Sequence, residues 1–413
     1  MKLWGILSTI LFYLTLPLFY LERVIHKKSG GWKEKFGYCE SLNHERQVIM
    51  VHGCSVGEIT ALENLVKRIK KEFPNSEIVV TTSTLTGQDI AHKKFNEIAD
   101  CITFFPFDIP SAVNRFLKRI KPSVVLIAET EIWPNFAYGC KKNNIPLYII
   151  NGRISDLSYW MYKLAKPFFK MVFNNYAGIY SQSREDREKF ISLGVKEQNA
   201  DFMGNLKFGI TKTDTDIQIG QDNYTILLAG STHKPENPIV IETYSKLKTQ
   251  FNNLKLLIAP RHLERVKEIE QLCEKANIKY GHRSNNDKFN DEFDVIILDT
   301  LGELKNMYSI CDIAFIGGSF NNTGGHNPLE ATIWNKPVIS GPAIFNFKDI
   351  YRILTKAGAA KVVQNQNEFY KSLKNLLEDK TIYDNAKNSC ANIFTEQQGA
   401  EDFVINKLKN TIL

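Results

Sequence analysis

Three short segments in the first half of the chain carry charged side chains placed to do chemistry, two of them directly after apolar runs, where a sheet would present them to a ligand, and the third at the close of the first domain. The first is His52-Gly53-Cys54-Ser55-Val56-Gly57-Glu58. Glycines there let the backbone approach a ligand, with free N–H groups facing it. Glu58 then falls at the carboxyl edge of the sheet, where a well-placed carboxylate can deprotonate an attacking hydroxyl. The same position suits a structural role, stabilising a helix N-terminus through the macrodipole. The second segment is Glu129-Thr130-Glu131-Ile132-Trp133-Pro134-Asn135. Glu129 or Glu131 can neutralise a cation, orient a hydroxyl or stabilise charge on a reacting centre. The structural alternative is a salt-bridged loop with Trp133 in a core. The third is Gly204-Asn205-Leu206-Lys207-Phe208. Lys207 supplies a cation for a carboxylate or a leaving phosphate, or is a snorkelling lysine beside a hinge.

The second half carries a denser set. Pro260-Arg261-His262 ends an apolar run and offers a guanidinium suited to phosphate. Leu301-Gly302-Glu303-Leu304 opens a helical pattern, and Phe315-Ile316-Gly317-Gly318-Ser319-Phe320 closes a strand pattern in a small-residue loop able to cradle phosphate. Gly324-Gly325-His326-Asn327-Pro328-Leu329-Glu330 follows. Asn327 suits an N-cap, Pro328 a first helical residue and Glu330 the third position of a capping box, which is a sufficient structural account. The functional alternative is a helix start facing a nucleotide, with Glu330 accepting from ribose hydroxyls. Capping alone calls for neither the glycine loop nor the neighbouring arginine. His233, His262 and His326 lack an HExxH or HxxxH partner, so no metal is assigned, and the GxGxxG dinucleotide fingerprint is missing.

These segments need elements to hold them. The pattern predicts strands at Val48–His52, Ile78–Thr82, Cys101–Phe105, Val124–Ala128 and Leu147–Ile150. Helices are expected over Gly57–Phe73, Gln88–Ile98 and Ser111–Ile120. The strands are almost wholly apolar, as in a parallel sheet covered on both faces. The polar stretch Gly209–Asn223 reads as a linker. A second alternation follows, with strands at Ile226–Ala229, Leu254–Ala259, Val295–Leu298, Ile313–Ile316 and Val338–Ser340 and helices near Pro238–Gln250, Leu263–Ala276, Leu304–Ile310 and Pro328–Trp334. The expected class is α/β, with two doubly wound domains facing a cleft. The expected boundaries are an anchor at 1–22, an N-terminal domain at 23–208, a linker at 209–223 and a C-terminal domain at 224–413, its last helix free to pack back on the first.

Composition narrows the classes. Lys and Arg number 52 against 45 Asp and Glu, a net charge of +7, which suits anionic lipid or acidic substrates and is too small to argue for nucleic acid. Seven scattered cysteines without a CxxC pair read as reduced thiols with no disulfide framework or zinc site. Leu3–Leu21 contains no charge and approaches the roughly 20 residues of a spanning helix. Arg23, Lys27, Lys28, Lys33 and Lys35 follow it, which places the remaining chain in the cytoplasm. An uncleaved transmembrane anchor is expected ahead of a signal peptide or a helix lying flat in the membrane interface.

Taken together, the segments resemble the Kdo (3-deoxy-D-manno-octulosonic acid) transferase family of lipopolysaccharide synthesis. The likeness runs through SVGE at Ser55–Glu58, ETEIWPN at Glu129–Asn135, GNLKF at Gly204–Phe208, GSTH at Gly230–His233 and PRH at Pro260–His262. It continues through LGEL at Leu301–Leu304, GGSF at Gly317–Phe320, GGHNPLE at Gly324–Glu330 and GP…NF at Gly341–Phe347. The resemblance implies a GT-B fold and inverting transfer of Kdo from CMP-Kdo to the lipid A precursor lipid IVA, at the cytoplasmic face of the inner membrane. It makes Glu58 the general base and Glu129 and Lys207 transition-state stabilisers. It assigns CMP binding to Pro260, Arg261, Leu301, Gly302, Glu303, Asn327, Pro328, Leu329 and Glu330. No cofactor, metal or nucleic acid is implied, and the expected partners are CMP-Kdo, lipid IVA and anionic lipid. The chain departs from the family pattern at Asn151-Gly152-Arg153, at Lys234-Pro235 and at Cys54. Two other readings stay open: a GT-B transferase using a UDP-sugar and another lipid-linked acceptor, and an inert membrane-tethered adaptor.

Overall fold

The computed structural model describes residues 1–25, 30–42, 45–213, 217, 219–220, 223–290 and 292–412, the side chains of 18–25 excepted. The side chain of Arg23, residues Lys27 and Lys28, and positions 214–216, 218 and 221–222 of the expected linker lie outside the described residues.

The apolar runs form two seven-stranded sheets, parallel throughout the described residues. The first comprises β1 (Val48–His52), β2 (Glu77–Thr82), β3 (Cys101–Phe104), β4 (Val124–Ala128), β5 (Leu147–Gly152), β6 (Gly178–Ser181) and β7 (Ala200–Phe202). Its order is β3-β2-β1-β4-β5-β6-β7. The second comprises β8 (Thr225–Thr232), β9 (Leu254–Pro260), β10 (Tyr280–His282), β11 (Val295–Ile297), β12 (Ile313–Ile316), β13 (Val338–Ser340) and β14 (Ala360–Val362). It runs β10-β11-β9-β8-β12-β13-β14.

Burial explains why these strands read as continuous apolar runs. Successive side chains of a strand point to opposite faces. Met50, Val125 and Ile149 enter one core, while Ile49, Val51, Val124 and Leu126 enter another. A sheet covered on both sides has no face on which a polar residue is cheap, so alternation disappears. The strands that the pattern does not foresee are β6, β7, β10 and β14, each only three or four residues long. The helix expected over Gly57–Phe73 is two, Val56–Ala61 and Glu63–Glu72, meeting at Leu62.

The chain divides into two compact units. One is Met1–Gly209 with Gln397–Leu413, and the other is Ile210–Glu396. The final helix, Ala400–Ile412, belongs to the first. Its Ala400, Val404, Ile405 and Leu408 are buried with Leu65, Val66 and Ile69. Polar contacts frame that seam: Lys409 pairs with Glu72 at 2.8 Å, Arg68 pairs with Asp402, and the hydroxyls of Tyr148 and Thr411 lie 3.0 Å apart.

The N-terminal helix, Lys2–Ile25, requires a correction. One side of it is docked on the first unit. Asn135 Nδ2 donates to Ser8 Oγ at 3.0 Å, the Trp4 and Phe168 rings lie 4.7 Å apart, and the Phe12 and Phe107 rings lie 4.9 Å apart. Gly5 sits so close to Pro110 that an added Cβ would meet its Cγ at 3.0 Å. Among the described residues no helix is long and apolar enough to cross a membrane. The single-pass anchor expected at residues 1–22 is therefore unsupported. A spanning helix offers its whole circumference to lipid, whereas this one gives a side to protein contacts that include a hydrogen bond.

Leu408→Ala should lower the unfolding free energy of the first unit by about 2–4 kcal/mol, the usual range for truncating a buried leucine. Lys409→Ala, which removes only a partly exposed ion pair, should cost less than about 1 kcal/mol. Urea denaturation of both variants checks the contrast.

Candidate functional site

The order of the first sheet reverses between β1 and β4. In open parallel sheets ligands gather outside the carboxyl ends of the strands at such a point. The acidic segments at Glu58 and Glu129 follow these two strands.

Ser55 is the N-cap of the helix Val56–Ala61, its hydroxyl oxygen accepting from the Glu58 N–H at 3.4 Å. Glu58 Oε1 in turn accepts from Ser55 Oγ at 2.8 Å, and Oε2 accepts from the Cys54 N–H at 2.7 Å. The capping role weighed from sequence is thus present. It does not exhaust the carboxylate, because each oxygen keeps acceptor capacity. Burial, then the charge of Glu129, raises the Glu58 pKa above the ordinary carboxylate value; the bonds from Cys54 and Ser55 and the charge of Lys207 work the other way.

Glu129 has a left-handed backbone, φ 56°, which costs a non-glycine residue of order 1 kcal/mol. Its carboxylate takes Lys207 Nζ at 3.0 Å on one oxygen and Arg153 Nε at 3.3 Å on the other. Glu131 completes the group. Burial, followed by the charge of Glu58, pushes its pKa up to about 7. The Trp133 indole N–H lies near enough to favour its ionised form without meeting hydrogen-bond geometry. Lys207 is no snorkelling surface lysine. It sits in the 3-10 turn Leu206–Phe208, its N–H donating to Asn205 Oδ1 at 2.9 Å, while the Leu206 N–H donates to Asn151 Oδ1 at 3.0 Å. Cys54 is no nucleophile: burial and the neighbouring glutamates push its thiol up to about 12. His52 is fully buried, its pKa pushed down to about 3 by burial, and its Nδ1 lies 3.1 Å from the Thr81 carbonyl oxygen.

In the second unit the order reverses between β8 and β12. The loop after β12 contradicts one expectation. The N–H groups of Gly318, Ser319 and Phe320 do not stand open for phosphate. They donate to the carboxylate of Glu236 at 2.8, 2.8 and 2.9 Å, and the His233 N–H joins them at 2.8 Å. Glu236 is completely buried. A concave run of N–H groups binds an anion, and here the anion is a side chain of the chain itself. Gly317 is required beside it, because an added Cβ would lie 2.3 Å from the Ser231 carbonyl oxygen.

Arg261 follows Pro260 at the end of β9, and its N–H donates to the Thr232 carbonyl at 3.0 Å. Nearby, His233 Nε2 and His326 Nε2 are 2.9 Å apart in stacked rings, with His262 edge-on to His233. Burial, then the proximity of His233 and Arg261, pushes the His326 pKa down to about 4. One ring nitrogen donates and the other accepts, so neutral imidazoles fit.

The remaining nucleotide candidates separate. Glu303 immediately precedes the turn Leu304–Met307, and its carboxylate pairs with Arg283 at 3.2 Å and accepts from Thr300 without capping the turn. Burial pushes its pKa up, yet those two partners hold it below the ordinary value. Leu301 is exposed, and Gly302 has φ +85° with open space around it. Asn327 Oδ1 accepts from the Leu329 N–H at 3.1 Å, and the helix is Leu329–Thr332 with Pro328 as N-cap, one residue later than expected. Burial raises the Glu330 pKa, partly offset by Lys305. Arg261 thus meets the histidines, whereas Glu303 turns to Arg283. Among the described residues no group of three His, Cys, Asp or Glu side chains is placed to hold a metal ion.

Sequence reasoning passed over Glu236, the pairing of His233 with His326, and Arg153 as a partner of Glu129. No capping pattern announces Glu236, which is the first helical residue after Pro235, its carboxylate reaching back to the His233 N–H. Nothing local announces the other two, which join residues 93 apart and across a strand end.

Replacing Glu236 by Gln puts an amide NH2 against backbone donors and leaves a buried N–H without its acceptor. The second unit should lose about 2–4 kcal/mol of stability. Urea unfolding of the full chain, with Glu236→Asp as the partial rescue, measures it.

A family model described as 3-deoxy-D-manno-octulosonic-acid transferase (kdotransferase) matches residues 30–210. The 3-deoxy-D-manno-octulosonic acid transferase of Haemophilus influenzae is 31% identical over 371 residues, covering 88% of this chain and 87% of that protein. The protein of the same name from Chlamydophila psittaci is 32% identical over 371 residues, covering 86% and 84%. Among solved structures, UDP-GlcNAc 2-epimerase from Neisseria meningitidis aligns at TM-score 0.55 and 14% identity, covering 88% of this chain and all of that one. Acinetobacter baumannii MurG aligns at TM-score 0.54 and 12% identity, covering 88% and 99%. These two likenesses establish the GT-B-like α/β fold. With near-complete coverage of its relatives and a matching family model, the chain belongs to the 3-deoxy-D-manno-octulosonic acid transferase family.

Proposed function

We propose that the protein transfers Kdo from CMP-Kdo to the lipid A precursor lipid IVA, with inversion, and that Glu58 is the general base. The observation that carries this reading is the recess at the switch point of the first sheet, where Glu58, Glu129, Glu131 and Lys207 meet. Glu58 takes the proton of the acceptor hydroxyl as its oxygen attacks the anomeric carbon of Kdo. The bond from that carbon to the phosphate of CMP breaks, and CMP leaves with the electron pair. A general base works best with a pKa near the working pH, and burial beside Glu129 moves Glu58 that way. Lys207 and Arg153, both held on Glu129, supply positive potential where the donor carboxylate and the leaving phosphate bring negative charge. Arg261 and the segments at Leu301–Glu303 and Asn327–Glu330 are assigned to the CMP moiety. No step calls for a metal, since the leaving group is a monophosphate.

The membrane reading is a monotopic one. The outer side of the N-terminal helix exposes Leu3 at 70% and Leu14 at 71%, with Leu7 and Ile10 between them. The Trp4–Phe168 contact joins it to the helices Asp156–Leu164 and Lys166–Phe173, where Trp160 is exposed at 62% and Leu164 at 85%. Lys163 sits 5.3 Å over the Trp160 ring, and Lys166 and Lys170 follow. An apolar face rimmed by lysines suits the surface of an anionic bilayer.

Incubating purified protein with lipid IVA and a CMP-Kdo supply should give Kdo-bearing lipid by mass spectrometry. Calorimetry should show binding of CMP in preference to UDP. Glu58→Ala should lower kcat by at least about 100-fold, the low end for a general base, with CMP affinity unchanged. The wild-type kcat should fall as pH drops through a value above the ordinary carboxylate pKa, since only ionised Glu58 accepts the proton. Near-normal turnover of Glu58→Ala would remove Glu58 from the mechanism. In vesicle flotation, the triple variant Leu157→Ser, Trp160→Ser, Leu164→Ser should shift most of the protein from the lipid fraction to the free fraction.

A further inference from the structure

Beneath the N-terminal helix the first unit carries a groove of about 620 Å³, a size typical of small-molecule pockets. Leu11, Phe12 and Leu16 line it from the helix, and Phe105, Phe107 and Ile109 line it from the segment after β3. Several of its polar groups are engaged elsewhere. Ser8 Oγ accepts from Asn135 and donates to the Gly5 carbonyl at 3.2 Å, and the Thr15 hydroxyl donates to the Leu11 carbonyl at 3.0 Å. The Asp108 carboxylate accepts from the N–H groups of Asn135 and Phe136 at 3.1 and 2.8 Å. What remains for a ligand is mainly hydrocarbon and aromatic surface. Lys35, held 4.4 Å over the Phe104 ring, adds one cation to the lining.

Two lining residues, Ser83 and Trp133, also border the carboxylate recess. The Cys54 thiol interacts with Ser83, and the Trp133 indole N–H faces Glu131. The groove therefore lies beside the site assigned to the acceptor hydroxyl, with Ser83 and Trp133 between them, and its other wall is a helix whose outer side is apolar.

We propose that this groove holds a fatty acyl chain of the acceptor, so that the glycolipid is gripped by its chain as well as its sugar. The inference rests on the reading that the acceptor is a phosphorylated glycolipid. Apolar lining draws the chain out of water or bilayer, and the junction at Ser83 and Trp133 lets a sugar joined to that chain reach Glu58 and Glu131. Discrimination among acceptors by acylation follows from filling this space.

The test uses Thr15→Trp, which fills the groove from an exposed helix position, and Leu16→Asp, which places a charge in it. Lys71→Trp, at an exposed position of the helix Glu63–Glu72, is the control. With acylated lipid IVA, the first two should raise KM at least tenfold. With the fully deacylated phosphodisaccharide, kcat/KM should stay within twofold of wild type, and Lys71→Trp should leave both unchanged. Parallel loss on both acceptors, or no change on the acylated one, overturns the proposal. A second arm needs no turnover. A brominated fatty acid should saturably quench the tryptophan fluorescence of a Trp160→Phe protein, through Trp4 and Trp133, and Thr15→Trp should weaken that binding at least tenfold. Quenching with wild-type affinity in Thr15→Trp, or none in the parent, rejects the groove. Absence of transfer by the wild type to either acceptor, with quenching intact, rejects the glycolipid reading and leaves a general acyl site.

Discussion

Like charges gathered in one partly buried recess are the constraint on which the first unit turns. Two unit charges about 4 Å apart near a protein surface repel by roughly 4 kcal/mol, a large part of the ~5–15 kcal/mol that holds a domain together. Glu58, Glu129 and Glu131 meet that cost in three ways. Glu129 is clamped by Lys207 and Arg153. Glu58 is solvated by the chain through the Cys54 N–H and the Ser55 hydroxyl. Glu131 has little such help, and its pKa climbs to about 7. Three chemically identical groups thereby become different ones, and such separation is how one site supplies acid and base roles.

The second unit faces the opposite problem, N–H groups that need an anion. Glu236 supplies it and ties the ends of β8 and β12 into one block. The block then presents other groups outward: the histidine pair, Arg261 and Asn327. The glycine loop is thus better understood as scaffold than as phosphate cradle. A small-residue loop after a strand has two possible fillings, ligand or side chain, and only the folded chain discloses which.

The central strands of both sheets were legible because burial on two faces leaves them few polar residues; β4, β12 and β13 have the very bounds their apolar runs suggest. The three-residue strands β7, β10 and β14 were not, since three residues such as Tyr280-Gly281-His282 carry no pattern. Glu58 and Glu129 stood out because each follows an apolar strand, whereas Lys207, between apolar neighbours at the close of the first domain, joined them only through the family resemblance. The electrostatics of the recess was not legible. Nothing in the sequence marks Arg153 as a partner of Glu129, whose own left-handed backbone follows the end of β4. The anchor expected from the charge-free N-terminal stretch is unsupported among the described residues. Hydropathy counts apolar residues without asking which face they occupy, and here one face meets Phe107, Phe168 and Asn135.

The segment from Glu129 to Asn135 shows how closely these features are joined. Its odd-numbered residues divide the work. Glu129 takes the two cations, Glu131 sits among the carboxylates, Trp133 lines the groove 5.6 Å from the Phe105 ring, and Asn135 holds both Asp108 and Ser8. Pro134 then starts a helix whose first N–H groups are capped by Asp108, 27 residues earlier in sequence. Burial pushes the pKa of that aspartate up to about 6 even against these bonds, so the cap is held where water is scarce. One loop therefore fixes the charge of the recess, the wall of the groove and the seat of the N-terminal helix. Through Asn135, Trp133 and Glu131 the same loop sets the seat of the helix, the wall of the groove and the acidic recess side by side.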